Sequence, residues 1–393
     1  VITPRLDILI YAHDGRGLGH AGRSIGIGMA LRRLCPYLKV LFVSGCRQSQ
    51  QLIGPAPLDW LKLPAYETKV EDGKSRGITG RSMFEDKELG IFRTEELEYL
   101  VSLYRPRLVL VDHTPQGKHK ELLKALSISR DIGTRWILGV RGVMGAVSQA
   151  GSDLAGNLFR QYYQGLLWYG DRRVLGESHL EGLRQQYGVE ALECGYVSRL
   201  AELDFLRVDG PAQNEMPAGT VSVPWLGEKS LHFLEQLARG LANIPRDFGK
   251  WHLFVDTGDS PEVKKKVWKM FAGLTHCRLE RPGVRYVDSL LCSKTAVIYG
   301  GYNSLMDVLY VGLPALVVER AMQDNEQQIH LQRLLARVGN RINTVSEADI
   351  TGEQITSFLL ENLSKNKKLP VAVNLNGAIE VAMILDRLLK EKS

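Results

Sequence analysis

Short apolar runs alternate with helix-length amphipathic segments along almost the whole chain, and this rhythm restricts the fold more than any other feature. In the first half, Leu6–Tyr11, Val40–Ser44, Leu108–Asp112, Trp136–Val140 and Leu166–Tyr169 read as strands. Between them Ala21–Leu34, Thr94–Tyr104, Lys118–Ser127 and Ala155–Gln164 read as helices. The second half repeats the pattern, with strands at Thr220–Val223, Trp251–Val255, near Val284, at Thr295–Tyr299 and at Pro314–Val318. Its helices are Ser230–Leu241, Glu262–Phe271, Leu305–Val311, Gln327–Val338 and Gly377–Lys390. Strands separated by helices form parallel sheets covered on both faces, so the expected class is α/β. At 393 residues the chain exceeds one ordinary core and suits two domains. The boundaries read as 1–200, a linker at 201–218 carrying Gly210, Pro211 and Pro217, a second domain at 219–376, and a closing helix at 377–393. Glu67 to Phe92 breaks the rhythm with a polar, glycine-rich stretch, expected to be a mobile acceptor loop.

Chemistry concentrates where strands are expected to meet helices. In Tyr299-Gly300-Gly301-Tyr302-Asn303-Ser304-Leu305-Met306-Asp307, small residues fall between an apolar strand and a helix N-terminus. Glycines let backbone approach an anion, and the N–H groups of a first helical turn donate to it with the helix dipole behind them. Asp307, about one turn further on, is placed for a sugar hydroxyl. Gly312 reads as a C-cap, and the next strand ends at Glu319-Arg320, followed by Asp324-Asn325-Glu326-Gln327. Consecutive parallel strands thus bring both clusters to one sheet edge, the edge where open α/β sheets bind ligands.

Near the start, His13-Asp14-Gly15-Arg16-Gly17-Leu18-Gly19-His20 joins the first strand to its helix. The glycine spacing departs from G-x-G-x-x-G, and Ser44-Gly45-Cys46 stands where a ribose-binding acid would end the second strand, so a nicotinamide or flavin cofactor is not expected. Asp112-His113 and Arg141 follow other strands of the same expected sheet.

The order of these elements resembles glycosyltransferases of the GT-B fold. More closely, it is similar to the group related to the lipid-linked N-acetylglucosaminyl transferase of peptidoglycan synthesis and to bacterial "predicted glycosyltransferases" with a GGYN motif. The resemblance implies two Rossmann-like domains facing each other across a cleft, with the acceptor bound by the first and a nucleotide-sugar by the second. It implies inversion at the anomeric carbon, a Gly-rich loop ending in Gly–His facing the acceptor, and a last helix packed back on the first domain. Glu326 and Gln327 match the positions that hold the donor's sugar hydroxyls, and Asp112 stands in the place of a Val–Asp pair. One departure is local: the Gly-rich loop that usually opens the second domain is replaced by Val223-Pro224-Trp225-Leu226-Gly227-Glu228-Lys229-Ser230.

The expected reaction moves a sugar from a nucleoside-diphosphate donor, UDP-linked by preference, to a small or lipid-linked acceptor. Gly300, Gly301, Asn303, Ser304, Asp307, Arg320, Glu326 and Gln327 form the donor side. Gly17, Gly19, Asp112, His113 and Arg141 form the acceptor side. His20 is the first choice of base because a neutral imidazole is available at neutral pH, and His13 with Asp14 remains an alternative. No Asp-x-Asp triplet occurs, so no metal is expected, and no cofactor. A hydrolase or epimerase on the same fold, or a sugar-nucleotide-binding subunit without turnover, stays open.

Charge and cysteine usage narrow the setting. Residues 1–200 carry 27 Lys and Arg against 21 Asp and Glu, whereas 201–393 carry 23 of each, so the excess lies in the first half. That favours an anionic acceptor or peripheral contact with an anionic membrane surface. No basic aromatic tract or recognition-helix pattern points to nucleic acid. Five scattered cysteines without C-x-x-C spacing suit a reduced, cytoplasmic setting. No run of eighteen apolar residues occurs, and the first strand follows so closely on Val1 that no signal peptide is expected.

Overall fold

The computed structural model describes residues 5–13, 18–71, 74–79, 83–143, 151–207, 217–283, 285–320, 326–365 and 372–391. The chain divides into two compact units, Val1–Glu202 with Asp324–Arg333 and Val373–Ser393, and Leu203–Gln323 with Leu334–Ala372.

Among the described residues the first unit holds a seven-stranded sheet. Its strands are β1 (Ile8–Ala12), β2 (Val40–Ser44), β3 (Asp59–Lys62), β6 (Leu108–Asp112), β7 (Arg135–Arg141), β8 (Tyr163–Tyr169) and β9 (Leu192–Glu193); β4 (Glu67–Glu71) and β5 (Lys74–Ile78) form a separate antiparallel hairpin. The order across the sheet is β3-β2-β1-β6-β7-β8-β9. β1 lies between β2 and β6, with Ile8 opposite both Val40 and Leu108, and every residue of these three strands is buried. Such strands read as continuous apolar runs because helices cover both faces.

The second unit repeats the topology with β10 (Gly219–Val223), β11 (Trp251–Val255), β12 (Cys277–Glu280), β13 (Thr295–Tyr299), β14 (Ala315–Glu319) and β15 (Ile342–Ser346), ordered β12-β11-β10-β13-β14-β15. Its core gathers Val221, Leu253, Val297 and Val318 from the strands with Phe233, Leu237, Ile355 and Leu359 from the helices Ser230–Ala242 and Gly352–Lys365. In both sheets the chain winds outward from a central strand in one direction and then in the other. The direction in which strands are added reverses between the parallel neighbours β1 and β6, and again between β10 and β13, and open α/β sheets bind ligands outside the carboxyl ends of strands at such points.

Several elements differ from the sequence expectation. The stretch expected as a loop from Glu67 is the β4–β5 hairpin, followed by the helix Asp86–Tyr104, whose start is a capping box between Glu85 and Glu88. The helix expected from Lys118 begins at Leu123, because Gly117, His119 and Lys120 all take positive φ, between 52° and 69°, which a helix cannot contain. The strand expected near Val284 is β12, ending at Glu280.

The helix Gly377–Lys390 belongs to the first unit and packs on the helix Gly19–Leu34. Gly377 donates its N–H to Tyr196 O at 3.0 Å, and a Cβ there would stand 2.5 Å from Gly195 O and 2.7 Å from the Tyr196 carbonyl carbon, both backbone atoms. Gly377→Ala is therefore expected to lower the unfolding free energy by about 1–3 kcal/mol. Gly182→Ala, in the helix Ser178–Tyr187 with nothing within 4 Å of the added methyl, is expected to be neutral or slightly stabilising. Urea denaturation of both variants checks the contrast.

Candidate functional site

The first unit's site is built at the carboxyl ends of β1, β6 and β7. His13 follows β1, His20 lies in the first turn of the helix Gly19–Leu34, Asp112 ends β6, His113 follows it, and Arg141 ends β7. His20 Nδ1 is 2.5 Å from Asp112 Oδ2. Arg23, one turn further along the same helix, reaches the same carboxylate at 3.1 Å to Oδ2 and 3.3 Å to Oδ1. Arg23 and Asp112 are each 2% exposed and the His20 side chain 18%.

These distances assign the proton on His20. A lone pair on Nδ1 facing a carboxylate at 2.5 Å would be repulsive, so Nδ1–H donates to Asp112 and the lone pair lies on Nε2. Burial, and then the positive charges of Arg23, Arg141 and Lys118, hold the His20 pKa well below the usual imidazole value. The ring is neutral at neutral pH, oriented by a carboxylate, with a basic nitrogen to offer.

Two more imidazoles crowd the site. The His13 ring centroid lies 4.0 Å from that of His20, and the His113 centroid 5.1 Å from it. His113 is 3% exposed, takes a φ of 82° and donates its N–H to Gly139 O at 2.7 Å. Its pKa is also held well below the usual value, by burial first and then by His20, Arg141 and His13, against the opposing charge of Asp112. Among the described residues no group of three or more His, Cys, Asp or Glu side chains is placed to hold a metal ion. Asp14 and Gly17 lie outside the described residues, and Gly19 opens the helix that carries His20.

The second unit's site lies at the ends of β10, β13 and β14. Gly301 is the N-cap of the helix Tyr302–Val311, so no side chain caps its first turn, and a Cβ on Gly301 would meet nothing within 4 Å. Gly300, Gly301, Asn303 and Ser304 sit together at this helix start, as the sequence suggested. Asp307 is 5% exposed and accepts from Tyr286 OH at 3.3 Å.

Arg320, after β14, is clamped. Its guanidinium lies 3.5 Å from the Trp225 ring centroid and 3.8 Å from that of Tyr299. It donates through Nη2 to Trp225 O and Ser230 Oγ, and its Nε is 3.5 Å from Glu347 Oε1. Glu347, buried, also accepts from Ser230 Oγ at 2.6 Å and Tyr299 OH at 2.7 Å. Glu326 and Gln327 open the helix Glu326–Val338, whose residues up to Arg333 belong to the first unit; nothing of the Glu326 and Gln327 side chains is described.

Sequence reasoning did not single out Arg23, Tyr286 or Glu347, and it quoted Tyr299 only as the first residue of the glycine motif. Arg23 carried a signal, since i and i+3 share a helix face with His20. Tyr286 and Glu347 reach their partners from distant parts of the chain, where no local spacing could reveal them.

No protein-family model and no curated protein sequence matches the chain. Solved structures are similar in fold. MurG of Acinetobacter baumannii is 12% identical, with a TM-score of 0.54 over 98% of this chain and 100% of its own. The UDP-GlcNAc 2-epimerase of Neisseria meningitidis, bound to UDP-GlcNAc, is 13% identical with a TM-score of 0.60 over 98% and 100%. A UGT transferase of Siraitia grosvenorii in complex with UDP is 11% identical with a TM-score of 0.56 over 98% and 100%. At such identities the likeness is one of fold: the chain has two Rossmann-like domains of the GT-B type, as its element order suggested.

The clamp around Arg320 has a measurable consequence. Arg320→Leu leaves Glu347 buried without its cation and is expected to cost about 3–5 kcal/mol. Adding Glu347→Gln should return much of that loss, and a double-mutant cycle by urea denaturation measures the coupling.

Proposed function

We propose that this chain is a glycosyltransferase that moves a sugar from a nucleoside-diphosphate donor to a nucleophilic acceptor, with His20 as the general base. The observation that carries the reading is the His20–Asp112 pair. A carboxylate at 2.5 Å fixes the tautomer that leaves Nε2 free to accept a proton. In the reaction, Nε2 takes the acceptor's proton as its heteroatom bonds to the anomeric carbon, and the bond from that carbon to the donor's phosphate oxygen breaks with inversion. The negative charge arriving on the diphosphate is met by backbone N–H groups and the helix dipole at Gly301–Ser304, by the Ser304 hydroxyl and by Arg320. Asp307 takes the ribose hydroxyls, exchanging its bond from Tyr286 for them. Glu326 and Gln327 are assigned to the donor's sugar.

The solved structures that hold UDP or UDP-GlcNAc support a uridine diphosphate donor. Lys118 and Arg141, whose charges bear on His20, support an anionic acceptor. Ile91, Phe92, Tyr99 and Leu103, exposed along the helix Asp86–Tyr104, support peripheral association with a membrane or a membrane partner. No described helix is long and apolar enough to cross one.

Two experiments test the reading. Calorimetry with UDP, GDP, dTDP, CDP and ADP is expected to show selective binding of one diphosphate, UDP first, weakened at least about tenfold by Asp307→Ala, the loss of roughly one charged hydrogen bond. Absence of binding by every diphosphate would remove the donor site. In a transfer assay, His20→Ala is expected to lower kcat by about 10²–10⁴. Because the folded-state pKa of His20 is depressed, the base stays unprotonated as pH falls past 6.5, so the acid limb of kcat/KM should lie well below that value. A limb at or above 6.5 would point away from His20. Release of free or epimerised sugar without any acceptor would replace the transferase reading by a hydrolase or an epimerase.

A further inference from the structure

Asp112 is shared between two partners. Arg23 Nη2 lies within 3.3 Å of both carboxylate oxygens, Nε is 3.4 Å from Oδ1, and the same Nη2 is 3.2 Å from His20 Nδ1. Since Nδ1 carries a proton, that last contact is an approach of two N–H donors that share the carboxylate and not a hydrogen bond. Ring and guanidinium rise from one rigid helix, one turn apart, and both close on a strand that is not their own neighbour in sequence.

We propose that Arg23 is a positioning residue whose guanidinium holds the Asp112 carboxylate in line with His20 Nδ1 and offsets the negative charge that Asp112 would otherwise lend to the ring. A carboxylate beside an imidazole ordinarily stabilises the imidazolium and strengthens the base. Here the same carboxylate orients the ring while Arg23 takes up its charge, so orientation and base strength are set separately. Among the described residues, the titratable and charged groups facing His20 are His13 beyond β1, Asp112 and His113 at the end of β6, Lys118 beyond it, Arg141 on β7 and Arg23 on the helix itself. Arg23 touches both members of the pair. The depressed proton affinity of His20, in which Arg23 is the largest charge effect after burial, agrees with this arrangement.

The consequence for catalysis rests on His20 being the base; the effect on His20 itself does not. The test is an NMR titration of the full chain labelled in histidine, comparing native protein with Arg23→Gln and Arg23→Lys. Native His20 is expected to remain neutral to well below pH 6.5 with Nε2 unprotonated. Removing the cation frees Asp112 to stabilise the imidazolium, so in Arg23→Gln the titration should rise by on the order of one pH unit or more. Arg23→Lys keeps the charge but loses the fork, so its titration should stay near the native one while the ring samples the Nε2–H tautomer. An unchanged titration in Arg23→Gln overturns the proposal. Should that variant not fold, a native tautomer in Arg23→Lys overturns it equally. In transfer assays the acid limb should move with the NMR titration, chiefly through kcat with KM little changed. If the titration moves and the limb does not, the role of Arg23 stands and the assignment of His20 as base fails.

Discussion

A carboxylate withdrawn from water needs compensation, and the first unit is organised around that need at Asp112, which is 2% exposed. Its position at the end of β6, beside β1, is given by a parallel register of uninterrupted apolar residues. Compensation then comes from the helix that follows β1, through Arg23 and His20 on one face. The helix start is thereby fixed against the end of a strand it does not follow in sequence. The outcome is a neutral, oriented imidazole at the topological switch point of the sheet.

The second unit buries a charge pair for a different purpose. Arg320 lies between the rings of Trp225 and Tyr299 and is tied to Glu347, Ser230 and the Trp225 carbonyl. Ser230 also takes the Gly227 N–H at 2.8 Å, so the turn between β10 and its helix is fastened at both ends. Where the resemblance places a Gly-rich loop and the sequence already departs from it at Val223–Ser230, this chain has an aromatic and ionic plug. On our reading, contacts to the diphosphate then fall chiefly on the uncapped helix start at Gly301–Ser304, which leaves Arg320 as a fixed rather than a mobile cation.

What was legible in the sequence follows from how local each signal is. The parallel sheets were readable because strands buried on both faces are plain apolar runs, and Gly300–Ser304 because a strand, small residues and a helix start adjoin in sequence. His20 was marked as the base and Asp112 as a group that orients acceptor or base; that the imidazole it holds is His20 needs the β1–β6 register. The β4–β5 hairpin was read as a loop because its residues, including Lys69 opposite Arg76, lack the apolar alternation of a core strand. The helix after β6 was placed too early because Lys118-His119-Lys120 looks helical in composition while its backbone turns left-handed at His119 and Lys120. The Arg320 clamp was not legible because its members stand at or just beyond the ends of β10, β13, β14 and β15 and at the start of the helix Ser230–Ala242, and only the folded sheet brings them together.

The backbone at His113 shows how closely the site depends on the sheet. A φ of 82° in a residue with a Cβ costs roughly 1–2 kcal/mol, and glycine would avoid it. The chain instead keeps a buried imidazole there and secures the turn with the His113 N–H on Gly139 O, the residue opposite Asp112 in the β6–β7 register. The same hydrogen bond therefore ties the strained residue to β7 directly beside Asp112. The turn thus sets a third imidazole beside His20, and burial, followed by the charges of His20, Arg141 and His13, holds the pKa of that imidazole well below the usual value.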